Sequence, residues 1–231
     1  MGYSVFITIV AIILFLLGLG MFLKGNFYYK ILVILGLKER KQKTNWALIA
    51  WENCLNKLNF KADIVFFGDS ITRGSNFGKF FDKKIVNLGL AGDTLDGMLK
   101  RVSLIKAVSP EKLFVLGGIN GLKDININVC EEKYEKLLKE IRQEVPKTQI
   151  YVLSVLPISS KQEITLLCHN TAIEKFNERI EKLSKSYDAK YINLFQLFSE
   201  NGKINPDLTV DGIHINEKGY SVWADAIKEY V

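Results

Sequence analysis

Residues 62–72 read Ala-Asp-Ile-Val-Phe-Phe-Gly-Asp-Ser-Ile-Thr. The first six residues form a short apolar run that is typical of a buried strand, and Gly68 ends it. Ser70 opens the next segment, so its hydroxyl is expected to project from the edge of a sheet. A serine at such a position caps a helix or binds phosphate as readily as it acts as a nucleophile. This stretch predicts the first strand and leaves the role of Ser70 open.

The rest of the chain alternates further apolar runs with helical patterns. We predict strands over 84–88, 112–116, 149–155 and 191–194, and helices over 44–58, 93–108, 128–144, 171–184 and 216–230. This alternation predicts an α/β fold, a three-layer α/β/α sandwich around a five-stranded parallel sheet. Functional residues of such a sheet lie beyond the carboxyl ends of its strands.

The segment before the last helix reads Asp211-Gly-Ile-His214 and holds one of the two histidines of the chain. A serine hydroxyl is a weak nucleophile unless a base removes its proton, and imidazole titrates near neutral pH. Asp211 is placed to orient the ring and to stabilise its protonated form. The alternative is a histidine that caps the final helix beside a solvated aspartate. His169 has no such partner and is interpreted as an ordinary polar histidine or as a residue at the rim of the pocket.

Two further residues follow predicted strands and are candidate donors to an oxyanion. Gly89 comes after the second strand, where the lack of a Cβ lets a backbone N–H approach a substrate. Asn120 comes after the third strand and offers a side-chain amide. Taken singly, they are equally typical of a turn glycine and a loop asparagine.

Four motifs occur in a fixed order: Gly68-Asp-Ser-Ile-Thr72, Asn87-Leu-Gly89, Gly118-Ile-Asn120 and Asp211-Gly-Ile-His214. In this order they resemble the SGNH (GDSL-type) hydrolases, and the resemblance covers nearly all of 62–231. It implies the flavodoxin-like fold of that family and a serine esterase that needs no metal and no cofactor. It also implies roles for five residues: Ser70 as nucleophile and oxyanion donor, Gly89 and Asn120 as the other donors, His214 as base and Asp211 as its orienting carboxylate.

The third motif departs from the family pattern at one position. The family usually has Gly-x-Asn-Asp, and here Gly121 replaces the aspartate. We expect this change to alter how the Asn120 loop is supported and to leave the catalytic groups in place.

The N-terminus carries an apolar run, since no residue from Val5 to Leu23 is charged. Nineteen helical residues span about 29 Å, close to the ~30 Å hydrocarbon thickness of a bilayer. A cleaved signal peptide normally has basic residues before its apolar run, and here the first one, Lys24, follows it. We therefore predict a transmembrane anchor in 1–24, a basic juxtamembrane segment in 25–43 and a hydrolase domain in 44–231.

Most of the net charge of +6 lies next to this run. Residues 24–43 hold six basic residues and one acidic residue, which leaves about +1 for everything else. The charge therefore does not indicate a nucleic-acid partner, and it favours anionic lipid headgroups instead. Basic residues after the span favour a cytoplasmic catalytic domain, whereas the family resemblance also allows an extracellular one.

The sequence offers few other candidate metal ligands or disulfide partners. Three widely spaced cysteines and two histidines predict no metal site and no disulfide framework. We predict a membrane-anchored serine esterase that acts on lipid or lysophospholipid-type acyl esters, with residues 157–167 bordering the pocket. The alternatives are an O-acetylesterase that acts on cell-envelope carbohydrate and a membrane scaffold without turnover.

Overall fold

The computed structural model describes residues 61–122 and 126–231 of the chain. The predicted anchor, the basic segment and the helix predicted over 44–58 lie outside the described residues. Among the residues that are described, no helix is both long and apolar enough to span a bilayer.

A five-stranded sheet forms the centre of the fold, with β1 (Ile64–Gly68), β2 (Ile85–Gly89), β3 (Lys112–Leu116), β4 (Gln149–Leu153) and β5 (Ala189–Ile192). The strands lie in the order β2-β1-β3-β4-β5. Each neighbouring pair is parallel, and Gly68 at the end of β1 pairs with Gly89 and Leu116. The predicted five-stranded parallel sheet is confirmed, and its strand order is that of flavodoxin-like folds.

Helices connect the strands. They are α1 (Ser70–Arg73), α2 (Leu95–Leu99), α3 (Ser103–Val108), α4 (Ile119–Leu122), α5 (Ile127–Glu144), α6 (Ser160–Leu166), α7 (Asn170–Ser186), α8 (Leu194–Phe198) and α9 (Glu217–Ile227). Short 3₁₀ turns span Phe77–Lys79, Pro206–Leu208 and Lys228–Tyr230. A two-stranded hairpin pairs β6 (Ser199–Glu200) with β7 (Lys203–Ile204).

Two apolar cores lie on opposite faces of the sheet because side chains alternate along each strand. In β1, Val65 and Phe67 join the core that contains α2, α3, α5 and α7. Ile64 and Phe66 join the other core, where Trp223 of α9 packs edge-on against Phe66 with 6.3 Å between ring centroids. Each face is therefore covered by helices, as the three-layer prediction requires.

Among the predicted elements, three differ from the structure in an informative way. The helix predicted over 93–108 is two helices, and the turn between them contains i to i+3 bonds such as Arg101 N to Met98 O, where the Arg101 side chain enters the core. The fifth strand begins at Ala189, earlier than predicted, and it ends at Ile192 because Asn193 already caps the next helix. The closing helix ends at Ile227 and continues as a 3₁₀ turn.

Candidate active site

The sheet order reverses at β1, since β2 lies on one side of it and β3 on the other. Loops that leave two neighbouring parallel strands in opposite directions open a crevice at their carboxyl ends. Ser70 directly follows β1 and Asn120 follows β3. The fold therefore brings the predicted functional segments to this switch point.

Ser70 is the first residue of α1, and Asp69 caps that helix by accepting from Ile71 N at 2.9 Å. The N–H of a first helical residue has no partner within its own helix and is free to donate outward. Gly68 permits close packing at the end of β1, because a Cβ there would lie 2.2 Å from the carbonyl oxygen of Leu116. Local sequence thus sets the position of the Ser70 hydroxyl.

A compact loop holds His214 against Ser70. The Oδ1 atom of Asp211 accepts from Ile213 N at 3.0 Å and from His214 N at 2.8 Å. Its Oδ2 atom lies 2.7 Å from His214 Nδ1, and His214 Nε2 lies 3.0 Å from Ser70 Oγ. With Nδ1–H donating to the carboxylate, Nε2 is left as the acceptor for the serine proton.

The Asp211 carboxylate is kept charged by the hydrogen bonds that it accepts. Partial desolvation raises its pKa, but the ring of His214 and the backbone N–H groups of His214 and Ile213 outweigh it and hold the pKa below its ordinary value. The side chains of Asp211 and His214 are 46% and 44% exposed, so the pair faces solvent. The arrangement suits a base whose protonated form must be stabilised at an open site.

Contrary to the prediction, the N–H of Gly89 is not available to this site. That N–H donates to Asn87 Oδ1 at 2.8 Å. A Cβ at Gly89 would lie 2.2 Å from the backbone nitrogen of Arg73, so the glycine is needed for close packing of β2 against α1. The Asn87 amide also donates to Thr72 O at 2.9 Å and thereby fastens the helix that carries Ser70.

Gly92 offers an exposed N–H at this site that sequence reasoning did not consider. It has φ of +71°, is exposed, and no acceptor for its N–H is found among the described residues. The turn around it is fastened by Leu90 N to Gly68 O at 3.0 Å and by Asp93 N to Leu90 O at 3.2 Å. The available signal was Ala91-Gly92-Asp93, a run of small and turn-forming residues directly after a strand.

Asn120 lies in the first turn of α4, and its Nδ2 donates to the carbonyl oxygen of Asp93 at 2.9 Å. A primary amide has two N–H groups, so one remains for a ligand. Gly121, the departure from the family pattern, leaves room for a Cβ, whose nearest neighbour would be Cys130 Sγ at 3.6 Å. The support of Asn120 therefore comes from Asp93.

Asp69 is a buried acid next to the nucleophile. Its Oδ2 has no hydrogen-bond partner among the described residues. Burial and the negative charge of Asp93 raise the pKa of Asp69 to about 7, against the opposing effects of Ile71 N, His214 and Arg101. Sequence reasoning assigned no role to this carboxyl group.

The loop after β4 reaches the same site through α6, within the stretch predicted to border the pocket. Ser159 N donates to Gly212 O at 2.9 Å, and Gln162 Nε2 donates to Asp211 O at 2.9 Å. A Cβ at Gly212, which has φ of +88°, would lie 2.1 Å from Ser159 Oγ. This loop therefore braces the Asp211–His214 segment from outside.

The other histidine and two of the cysteines take no part in the hydrogen bonds described above. His169 is exposed before α7 and makes no side-chain capping bond. Cys130 and Cys168 are buried and free, and no group of potential metal ligands occurs among residues 61–122 and 126–231. A cavity of about 530 Å³ is lined by Ser109–Lys112 and Glu144–Gln149, near the amino ends of β3 and β4.

Known proteins are similar to this chain over most of its length. The GDSL-like lipase/acylhydrolase family matches residues 66–222. The chain is 23% identical over 220 residues, 88% of its length, to an N-acylneuraminate cytidylyltransferase of Escherichia coli O18:K1:H7. It is 27% identical over 173 residues, 71% of its length, to a multidomain esterase of Ruminococcus flavefaciens. The chain spans 49% of the former protein and 22% of the latter.

Solved structures share the fold. A GDSL-like lipase from Bacteroides thetaiotaomicron superposes with a TM-score of 0.65 at 24% identity, covering 75% of this chain and 88% of that one. A lipase/acylhydrolase from Enterococcus faecalis superposes with a TM-score of 0.59 at 21% identity, covering 72% and 93%.

Proposed function

The chain belongs to the GDSL-like lipase/acylhydrolase family, and we propose that it hydrolyses carboxylic esters through an acyl-enzyme formed on Ser70. The observation that carries this proposal is the continuous hydrogen-bonded series from Ser70 Oγ to His214 Nε2 and from His214 Nδ1 to Asp211 Oδ2. A nucleophile, a base and an orienting carboxylate in this geometry are what acyl transfer requires.

The proposed reaction has two stages. His214 removes the proton of Ser70 as the oxygen attacks the ester carbonyl carbon, and the protonated ring then gives that proton to the departing alkoxide. Water attacks the acyl-enzyme in the second stage, with His214 again removing a proton and returning it to Ser70. Asp211 stabilises the imidazolium in both stages.

The tetrahedral intermediate needs donors for its oxyanion. We assign this role to the N–H groups of Ser70 and Gly92 and to the side-chain amide of Asn120. The assignment replaces Gly89 with Gly92, because the N–H of Gly89 is already bound to Asn87. Each such donor contributes about 10²–10³ to the rate in enzymes of this kind.

For the substrate, we propose lipid or lysophospholipid-type acyl esters. The support is the apolar run 5–23 and the basic residues that follow it, which would hold the enzyme where lipid esters are concentrated. The membrane anchor is part of this proposal, with the catalytic domain on the cytoplasmic side. Extraction at alkaline pH and protease protection of intact cells test the anchor and its orientation.

A second candidate is O-deacetylation of cell-envelope carbohydrate. The half exposure of Asp211 and His214 favours it, because an open site admits a bulky polymer that carries a small acyl group. The two candidates differ in the length of the acyl chain.

The test is hydrolysis of p-nitrophenyl esters from acetate to palmitate by the full chain in detergent, with Ser70→Ala as the matched control. We expect turnover that depends on Ser70, and a fluorophosphonate probe that labels the wild type but not the variant. A best substrate of medium or long chain supports the lipid ester, and acetate alone supports the carbohydrate ester. A folded wild type that neither turns over nor labels contradicts the proposed esterase and favours a scaffold.

A further inference from the structure

Arg101 is a buried arginine between the two halves of the site. Its side chain is 2% exposed, and its guanidinium lies over the ring of Phe67, 4.2 Å from the centroid. Burying an arginine is costly unless the charge is paired and the N–H groups are satisfied. The hydrogen bonds and the ion pair of this guanidinium offset the cost of its burial.

Each arm of the guanidinium reaches a different segment of the active-site edge. Nε donates to Asp93 Oδ2 at 2.7 Å, and Nη2 donates to Gly68 O at 2.7 Å. Nη1 donates to the carbonyl oxygen of Leu88. One planar group therefore ties the carboxyl ends of β1 and β2 to the loop that follows β2.

Two of these partners, Gly68 and Asp93, are close in sequence to proposed oxyanion donors. Gly68 lies two residues before Ser70, and Asp93 directly follows Gly92. The carbonyl oxygen of Asp93 accepts from the Asn120 amide. Ser70 and Gly92 thus lie within two residues of a partner of Arg101, and Asn120 donates to the backbone of one such partner, Asp93.

We infer that Arg101 is a positioning residue that sets the spacing of the three oxyanion donors. This inference rests on the proposed esterase function. Donors act on the developing charge only when they are held in place before it forms, and small displacements are costly. Lysine keeps the charge but lacks the planar fork, so it cannot satisfy three partners in different directions.

The test compares Arg101→Lys with Arg142→Lys. Arg142 also donates to several backbone carbonyls, among them Thr148 O at 3.0 Å and Asp188 O at 2.7 Å, but at the amino ends of β4 and β5. We expect Arg101→Lys to lower kcat by about 10-fold or more with KM within about 2-fold. Arg142→Lys is expected to lower the midpoint of urea unfolding while kcat stays within about 2-fold of the wild type.

A second measurement separates positioning from general damage. If Arg101 acts through the donors, its effect on kcat in an Asn120→Ala background is smaller than in the wild type. Three outcomes would overturn the inference. In the first, the kcat losses of Arg101→Lys and Asn120→Ala multiply in full in the double variant. In the others, Arg101→Lys changes KM alone or has a kcat like that of Arg142→Lys. Should Arg101→Lys fail to fold, Asp93→Asn weakens the same ion pair and keeps the carbonyl that Asn120 uses, so the same outcomes apply.

A readout independent of turnover distinguishes the two proposals. The side-chain amide resonance of Asn120, assigned by its disappearance in Asn120→Ala, is expected to shift in Arg101→Lys and not in Arg142→Lys. A resonance unchanged in Arg101→Lys overturns the inference about Arg101. A wild type that neither hydrolyses esters nor reacts with fluorophosphonate contradicts the proposed function, while the resonance still decides whether Arg101 places Asn120.

Discussion

His214 Nε2 lies 3.0 Å from Ser70 Oγ, although 144 residues separate the two along the chain. The contact depends on two short turns. One places Ser70 at the start of α1, and the other is the loop in which Asp211 accepts from two backbone N–H groups and from the His214 ring. A triad built from turns at one sheet edge is sensitive to each of their anchoring groups.

Asp211→Asn tests the orienting carboxylate. The amide is neutral, so it can accept a hydrogen bond from Nδ1–H but cannot stabilise the positive charge of the imidazolium. Its NH₂ group can also donate to Nδ1, which would favour the wrong tautomer of the ring. We expect kcat to fall by about 10²–10⁴, the range seen when such a carboxylate is replaced. Ester hydrolysis measures this, with circular dichroism as the check on folding. A variant with wild-type kcat would remove Asp211 from the mechanism.

Asn120→Ala tests the side-chain donor. Because the oxyanion forms only in the transition state, we expect kcat to fall by about 10²–10³ while KM changes little. Steady-state kinetics on a short p-nitrophenyl ester measures both constants. A rise in KM at constant kcat would instead assign Asn120 to substrate binding.

Gly89→Ala and Gly92→Ala form a matched pair. A Cβ at Gly89 meets the backbone of Arg73, so this variant is expected to lose about 1–3 kcal/mol or more of unfolding free energy. A Cβ at Gly92 meets nothing within 4 Å, and only its φ of +71° is strained, at about 1 kcal/mol.

Kinetics and urea unfolding together decide between the two glycines. We expect the larger loss of stability in Gly89→Ala, and in Gly92→Ala a loss of kcat at nearly constant KM, since strain there shifts a donor. A Gly92→Ala enzyme with wild-type kcat would contradict the assignment of Gly92 to the oxyanion site.

Asp69→Asn tests whether the buried Asp69 is protonated, through the pH dependence of the unfolding free energy. Burial raises the pKa of Asp69 to about 7 from an ordinary 3.8, so the folded protein holds a proton that the unfolded chain has lost. The stability contributed by this proton is present below about pH 4 and is lost as pH rises through about 7. The free energy of unfolding of the wild type is therefore expected to fall relative to that of Asp69→Asn between these values, by up to about 1.4 kcal/mol per pH unit.

Urea unfolding of both proteins at several pH values from 4 to 8 measures this difference. Titrating groups that do not interact with Asp69 cancel in the comparison because the two chains share them. A difference that stays flat over this range would mean that Asp69 is ionised in the folded state throughout.

The strands were predictable because their signal is local. β3 spans Lys112–Leu116 as predicted, since a run of apolar residues between turn-forming residues needs no distant partner to be recognised. The hairpin of β6 and β7 was missed, although Asn201-Gly202, with φ of 52° and 74°, is a strong local signal for a two-residue turn.

The functional residues divide in a similar way. Ser70, Asn120, Asp211 and His214 were found from motifs, and the structure places Ser70, His214 and Asp211 in one hydrogen-bonded series. Gly89 was predicted as a donor because it follows a strand, whereas Gly92, three residues further on, was not considered. Which N–H remains available depends on where the Asn87 side chain bonds, and that contact belongs to the fold.

Sequence alone therefore determined the five parallel strands, the longer helices between them and the residue types of the candidate triad, because apolar periodicity and turn signals depend on neighbouring residues. Tertiary structure decided which glycine offers a donor, why the helix over 93–108 breaks, and how Arg101 joins three segments. Those outcomes depend on hydrogen bonds between groups far apart in the chain, such as Arg101 and Gly68, whose geometry exists only once the strands have assembled.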